Sequence, residues 1–356
     1  MGHFNESKSL FMKIIISLSR KIWLIILFFS NSIMITANAQ PKKVIIDCDP
    51  GDDDALELIL AMQSPEIEIV GITTVSGNAY LDQCTKNALR VVELSGKNIP
   101  VYKGAEKSLV VPQETPPDFI HGKDGLGNTN QPEPKISVQS KPAAQFIVDI
   151  TKAYPGEIII LAVGKLTNLA EAIRLDSNVT RNVKEVVVVA GALSVPGIVT
   201  PVAEPNIWAD PHAADIVFAA PWNVTMFSLD VTLKCVLPDE LLLHIKKSNS
   251  KYGEFIYAIT RLAREFQMKT IHTDGYLEPG SVAILYMIDS SIFKFKQVPV
   301  RVVTDGIAIA QTIMPAYEFQ LQQPLFKDRP LIKVALEIDV KRFLKYYEAI
   351  LLRSQQ

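Results

Sequence analysis

The chain has 356 residues, 48% of them hydrophobic and 21% charged, which is enough to bury a sizeable core. A formal net charge of -2 excludes the basic footprint that a nucleic-acid partner would need. Three cysteines are too few for a disulfide scaffold.

Residues 1–39 read as a segment apart from the fold. Lys13, Arg20 and Lys21 precede an apolar run from Ile22 to Ile35, and Ala37-Asn38-Ala39 gives the small-x-small pattern of a signal-peptidase site. Ser30, Asn31 and Ser32 interrupt the run, which is too short for a membrane span. The expectation is a secretory signal cleaved after Ala39 and an exported protein, periplasmic or secreted. The alternative is an uncleaved signal acting as an N-terminal anchor. Residues 40–356 are expected to form a single domain.

The next stretch is the most informative one. Val44-Ile45-Ile46 reads as a short buried strand, Pro50-Gly51 as a turn, and the apolar periodicity of Ala55, Leu56, Leu58, Ile59, Leu60 and Met62 as a helix. Asp47, Asp49, Asp52, Asp53 and Asp54 therefore crowd one strand end and one helix start. Like charges so close raise one another's pKa values. The helix N-terminus offsets part of that cost, and a divalent cation would offset far more. Hard oxygen ligands at this density suit Ca²⁺ or Mg²⁺. A single aspartate here would be an ordinary helix cap, but five exceed what a cap requires. An EF-hand loop does not fit, because the glycine is fifth from Asp47 and the helix starts too early. A phosphoryl-transferring D-x-D turn would leave Asp52 to Asp54 without a role.

Downstream, strand and helix patterns alternate. Strands are expected over Glu68–Val75, Glu157–Val163, Val183–Ala190 and Val224–Val231, with a short extended piece over Pro100–Lys103. Helices are expected over Leu81–Leu94, Pro142–Ala153, Leu166–Leu175 and Pro211–Ala219. Unbroken apolar strands between amphipathic helices indicate an α/β fold, a mostly parallel open sheet flanked by helices on both faces. Leu237–Ile288 should be mainly helical. Val298 to about Ile338 reads as a small C-terminal β-rich appendage, closed by a helix over Val340–Leu352.

Polar groups recur at the strand ends, where open α/β sheets bind ligands. Asn78 follows the second strand. His121 opens a glycine-rich loop, His121-Gly122-Lys123-Asp124-Gly125-Leu126-Gly127-Asn128, inside a long irregular stretch of the kind that forms lids. Glu204 and Asn206 lie two apart, so in an extended segment they share one face and could hold vicinal hydroxyls.

The acidic segment closely resembles the D-x-D-P-G-x-D-D-A signature of the inosine-uridine preferring nucleoside hydrolases, with Asp52 in the variable position. The resemblance continues through Asn78, the His121 loop, Gly164-Lys165-Leu166-Thr167-Asn168, and Glu204-to-Pro211, covering about residues 43 to 350. It implies an N-ribohydrolase that splits a ribonucleoside into ribose and free base with a water polarised by Ca²⁺. The implied metal ligands are Asp49, Asp54, the Val163 carbonyl and Glu278. Asp49 would be the general base, and Asp53, Asn78, Glu204 and Asn206 would grip the ribose, with Asp47 supporting them. His121, Tyr276 and Trp208 are the candidates for assisting base departure or contacting the base. Homodimers or homotetramers are usual in the family, and the expected partner is a small-molecule nucleoside.

Three positions depart from the family pattern. Pro205 replaces a Phe, Ile198 stands where the family often has an Asn, and no His-Asp pair precedes the late apolar helix. Glu278, or Asp274 as the other candidate, would have to supply the missing carboxylate, and the nearest histidine, His272, lies upstream. The alternative readings are a non-catalytic ribose- or nucleoside-binding protein on the same scaffold, or a hydrolase of a different riboside.

Overall fold

In the computed structural model, which describes residues 40–248 and 250–353, β-branched and apolar runs line up as one central sheet. The expected signal segment lies outside the described residues. Twelve strands occur in chain order: β1 (Lys42–Cys48), β2 (Ile67–Thr74), β3 (Val101–Lys103), β4 (Ile159–Ala162), β5 (Glu185–Val189), β6 (Val224–Phe227), β7 (Val236–Leu237), β8 (Tyr276–Leu277), β9 (Phe293–Val298), β10 (Arg301–Val302), β11 (Thr312–Ile313) and β12 (Ile332–Ile338). Eight form the central sheet in the order β3-β2-β1-β4-β5-β6-β12-β9. Every pairing is parallel except β12 with β9.

Side chains alternate across β1 and so divide the core in two. Val44 and Ile46 pack with the helices Asp52–Gln63, Leu81–Ser95, Ser281–Ile288 and Val340–Leu351. Ile45 faces the other way, toward the helices Ala143–Ala153, Thr167–Leu175 and Pro211–Ala219. Both sheet faces are covered, which is why the inner strands carry unbroken apolar runs. The three buried cysteines, Cys48, Cys84 and Cys235, are free thiols. Among the described residues no helix is long and apolar enough to cross a membrane.

The strand order places the site. From β1 the chain winds outward through β2 and β3, then returns to the other side of β1 with β4 and continues through β5 and β6. The order therefore reverses between β1 and β4, and a crevice opens at the carboxyl ends of these two strands. Asp47 and Cys48 close β1, and Val163 directly follows β4.

Two expectations are corrected. The stretch expected as a β-rich appendage supplies β12 to the main sheet, beside β6, with β9 as its antiparallel edge. Within that stretch β10 and β11 stand apart, as a two-stranded ribbon. The pattern misleads because β9 reads Phe-Lys-Phe-Lys-Gln-Val, the alternation of an edge strand with one wet face. The expected strand Val224–Val231 ends at Phe227, and Leu229–Thr232 turns into helix. Asp230 enforces this turn, because its carboxylate accepts from Leu193 N, Ser194 N and Ser228 Oγ.

Candidate active site

The turn after β1 brings the acidic residues together without exposing most of them. Asp47, Asp49, Asp52 and Asp54 are all buried. Asp52, Asp53 and Asp54 form the first turn of the helix Asp52–Gln63, where free amides and the helix dipole favour anions.

Asp47 lies under the crevice. Its Oδ1 accepts from Asn168 Nδ2 at 2.7 Å and from Thr73 Oγ1 at 2.5 Å. Burial pushes its carboxyl up to about 7, although both donors oppose the shift. Asn168 also donates to the Thr74 carbonyl and accepts from Ala105 N, so one amide ties β1, β2 and the segment after β3 together.

Asp49 fits between two glycines. A Cβ on Gly77 would come within 1.8 Å of its Oδ2, and one on Gly164 within 2.5 Å of its Oδ1. No side chain could be tolerated at either glycine without moving the carboxylate. Burial, then the neighbouring Asp53 charge, raises Asp49 to about 6. Asn78 clamps the group: its backbone N–H donates to Asp49 Oδ2 at 2.8 Å, and its Nδ2 reaches Asp53 Oδ1 at 3.0 Å and Asp54 Oδ2 at 2.9 Å.

Several carboxylate oxygens nonetheless lack a partner. Asp47 Oδ2, Asp49 Oδ1 and Asp54 Oδ1 are buried and unpaired. Burying such oxygens is costly unless something positive meets them. Oxygen-only donors of this kind fit a hard divalent cation. The Val163 carbonyl stands at the neighbouring strand end, where it accepts from Asn206 Nδ2 at 2.7 Å.

Among the described residues one close group of three ligand atoms occurs, from Asp52, Asp53 and His121, all within 4.8 Å of one another. Here the imidazole already answers the charge. His121 Nδ1 lies 2.5 Å from Asp52 Oδ1 and 3.9 Å from Asp53 Oδ1. Burial works against a charged ring, but the Asp52 charge and hydrogen bond outweigh it and raise His121 to about 9. A cation there would compete with the imidazole for Asp52, whereas Oδ1 of Asp49 and Oδ1 of Asp54 have no hydrogen-bond partner to compete with.

Asp274 and His272 are exposed, whereas Glu278 is fully buried. Burial raises Glu278 to about 8. Its two oxygens both accept from Ser281 N at 3.2 Å, at the start of the helix Ser281–Ile288. Glu278 stands outside the close ligand group. Tyr276, on β8, donates its hydroxyl proton to Asp52 Oδ2 at 2.7 Å. A further carboxylate, Glu57, lies one turn beyond Asp53 on the same helix. It is buried, has an unpaired Oε2, and occupies the space where a Cβ on Gly280 would sit.

The Glu204–Asn206 pair does more than offer one polar face. Glu204 is the N-cap of the helix Pro205–Ala209 and accepts from Asn206 N and Ile207 N, while its Oε2 also accepts from Gly191 N. Burial lifts it to about 7 against these three donors. Asn206 Nδ2 bridges the Val163 and Val189 carbonyls, which leaves its Oδ1 for a ligand. Trp208 lies half-buried against the second core cluster. The His121 loop is held from within: Asp124 Oδ1 accepts from Leu126 N and Asn128 N, and Asn87 Nδ2 reaches both the Asp124 and Pro50 carbonyls.

The structure thus gathers Asp47, Asp49, Asp53, Asp54, Asn78 and His121 around one strand end, with Val163 and Asn206 across it. Sequence reasoning missed the contribution of Asp52, which the acidic run disguised, and the burial of Glu57. For Glu57 a signal existed, because its i+4 spacing from Asp53 puts it on the same helix face.

Comparison with known proteins gives a consistent result. Residues 44–345 match the family model described as inosine-uridine preferring nucleoside hydrolase. Uridine nucleosidase 1 of Arabidopsis thaliana is 36% identical over 315 residues, covering 88% of this chain and 94% of the relative. The inosine-uridine preferring nucleoside hydrolase of Leishmania major is 35% identical over 306 residues, covering 85% and 95%. Among solved structures, a plant nucleoside hydrolase superposes with a TM-score of 0.86 at 32% identity, covering 88% of this chain and all of the other. A purine-preferring ribonucleoside hydrolase from Gardnerella vaginalis gives 0.81 at 30% identity, covering 87% and 98%.

Proposed function

The chain belongs to the inosine-uridine preferring nucleoside hydrolases and hydrolyses the N-glycosidic bond of ribonucleosides, and we propose that it does so at the β1–β4 crevice with a calcium ion. The observation that carries this reading is the pair of unpaired, buried oxygens of Asp49 and Asp54 in the turn after β1, with the Val163 carbonyl at the end of neighbouring β4. Asp49, Asp54, the Val163 carbonyl and Glu278 would hold the ion, and the ion supplies polarisation of the attacking water.

The remaining chemistry falls to the protein's own groups. Asp49, fixed by Asn78 and flanked by two glycines, takes the proton of the attacking water. Asp53 and the Oδ1 of Asn206 bind ribose hydroxyls, with Asn78 and Glu204 fixing their positions. This hold places C1′ against the water and favours an oxocarbenium-like sugar. His121 faces the departing base.

The experiment is release of free base from inosine, uridine, adenosine and cytidine by the mature protein, with calcium and with chelator. Calcium-dependent release is expected. Release that persists in chelator would refute the metal reading. We further propose that residues 1–39 are a removable export signal ahead of one domain, so that the enzyme salvages nucleosides outside the cytoplasm. Recovery of signal-bearing protein in the cytoplasm would refute this. A homodimer or homotetramer is the expected assembly, to be checked by sedimentation.

A further inference from the structure

The side chain at the variable position of the acidic signature carries an arrangement that the hydrolase reading has not used. Asp52 is fully buried, and each of its oxygens is committed. Oδ1 meets His121 Nδ1 at 2.5 Å, and Oδ2 accepts from the Tyr276 hydroxyl at 2.7 Å. The partners come from distant parts of the chain, 69 and 224 residues away. Each has a fixed backbone. His121 ends a short helical turn whose N–H groups bond back to Pro117, and Tyr276 lies in β8, paired antiparallel with β7.

We propose that Asp52 is a positioning residue that locks His121 and Tyr276 into one unit facing the departing base. This inference rests on the hydrolase reading. With Nδ1 committed to Asp52, Nε2 is the ring nitrogen left to meet a ligand. The ring borders Asp53, the ribose contact, and a Cβ on Gly51 would come within 2.9 Å of its Nδ1. A buried carboxylate set among four others would be a poor choice for a simple fold staple, since it adds repulsion where the site is already crowded. It earns its place by orienting the imidazole.

In the step, the C1′–N bond breaks and its electron pair goes to the base, which takes the proton on His121 Nε2. The water oxygen forms the new C1′–O bond, and Asp49 takes one water proton. Proton loss from Asp49 and proton gain by His121, both through solvent, close the cycle with one water consumed.

The test compares two leaving groups on the calcium-loaded enzyme. Nitrophenolate leaves 4-nitrophenyl β-D-ribofuranoside without a proton, whereas uracil and hypoxanthine need hydrogen bonding or protonation to leave. Asp52→Asn should lower kcat for uridine and inosine about 100-fold, at the low end of what a general acid supplies, with KM nearly unchanged. The same variant should hydrolyse the nitrophenyl riboside at close to the wild-type rate. Equal loss on both substrates, or loss on neither, would overturn the role of Asp52 while leaving the hydrolase reading intact. Wild-type protein inactive on both would overturn the two together. If Asp52→Asn fails to fold, Tyr276→Phe removes only one of the two hydrogen bonds. It should show a smaller loss with the same preference for the nitrophenyl substrate, and equal loss on both would again overturn the proposal.

Discussion

Asn168 donates its side-chain N–H to Asp47 across 2.7 Å, joining residues 121 positions apart. Asp47 Oδ2 has no partner, so Oδ1 carries all the direct hydrogen bonding of a fully buried carboxylate. Removing the amide by Asn168→Ala would leave Asp47 with Thr73 alone and would also free Ala105 N. A buried polar group left short of a partner costs about 1–3 kcal/mol. The expected outcome is a loss of that order in urea unfolding, accompanied by weaker calcium binding, because Asp47 underlies the crevice. Unfolding unchanged within about 0.5 kcal/mol would show that water replaces the amide at no cost.

Asp49→Ala separates chemistry from folding. Asp49 makes one hydrogen bond within the cluster, from Asn78 N, and is raised by burial and by the Asp53 charge. Removing it relieves repulsion while forfeiting one bond. Base release should fall by roughly 10²–10⁴-fold, with an unchanged circular dichroism spectrum and a Tm in chelator no lower than wild type. The calcium-induced rise in Tm should shrink. Near-normal turnover would show that another group takes the water's proton.

Glu204 tests the difference between a ribose ligand and a helix cap. Both of its oxygens are engaged by backbone N–H groups of Gly191, Asn206 and Ile207. Glu204→Ala should therefore destabilise the protein by about 1–2 kcal/mol, as loss of an N-cap does, and raise KM through displaced Asn206. Asn206→Ala should raise KM with a smaller stability loss. If Glu204→Ala changed KM alone, with unfolding unaffected, the carboxylate would be a direct sugar contact rather than the anchor of one.

Much of this arrangement was legible in the chain, for physical reasons that can be named. Val44-Ile45-Ile46 and Val186-Val187-Val188 announce strands buried on both faces, because no polar residue interrupts them. The acidic turn announces a site because five carboxylates cannot share a strand end without compensation. The partners of Asp52 were not legible, since spacing along the chain says nothing about side chains 69 and 224 residues away. The cap role of Glu204 was hidden for a related reason. An extended segment puts Glu204 and Asn206 on one face, but Pro205 at the first helical position starts a turn instead. β12 could not be placed from pattern alone, because membership of the central sheet depends on a return from the β10–β11 ribbon.

The carboxyl cluster also sets how stability should depend on pH. Burial raises Asp47 to about 7, Glu204 to about 7 and Glu278 to about 8, and burial with Asp53 raises Asp49 to about 6. Their unfolded values are 3.8 for aspartate and 4.5 for glutamate. A carboxyl raised on folding binds its proton more tightly in the folded state, so the folded state is favoured below the unfolded value and loses that advantage as pH rises through the folded one. His121, raised from 6.5 to about 9, has the same sign: its contribution is full below 6.5 and is lost through about 9. Metal-free protein should thus lose stability steadily from mild acid upward, most steeply between about pH 4.5 and about pH 7. Calcium favours the ionised carboxylates, so its stabilising effect should grow across the same interval and flatten or reverse the slope. A Tm series from about pH 4 to about pH 9, in chelator and in calcium, checks both halves. A metal-free Tm that climbs between about pH 4.5 and about pH 7 would show that these carboxyls are already ionised in the folded protein. In that case a charge other than protons must balance the crevice.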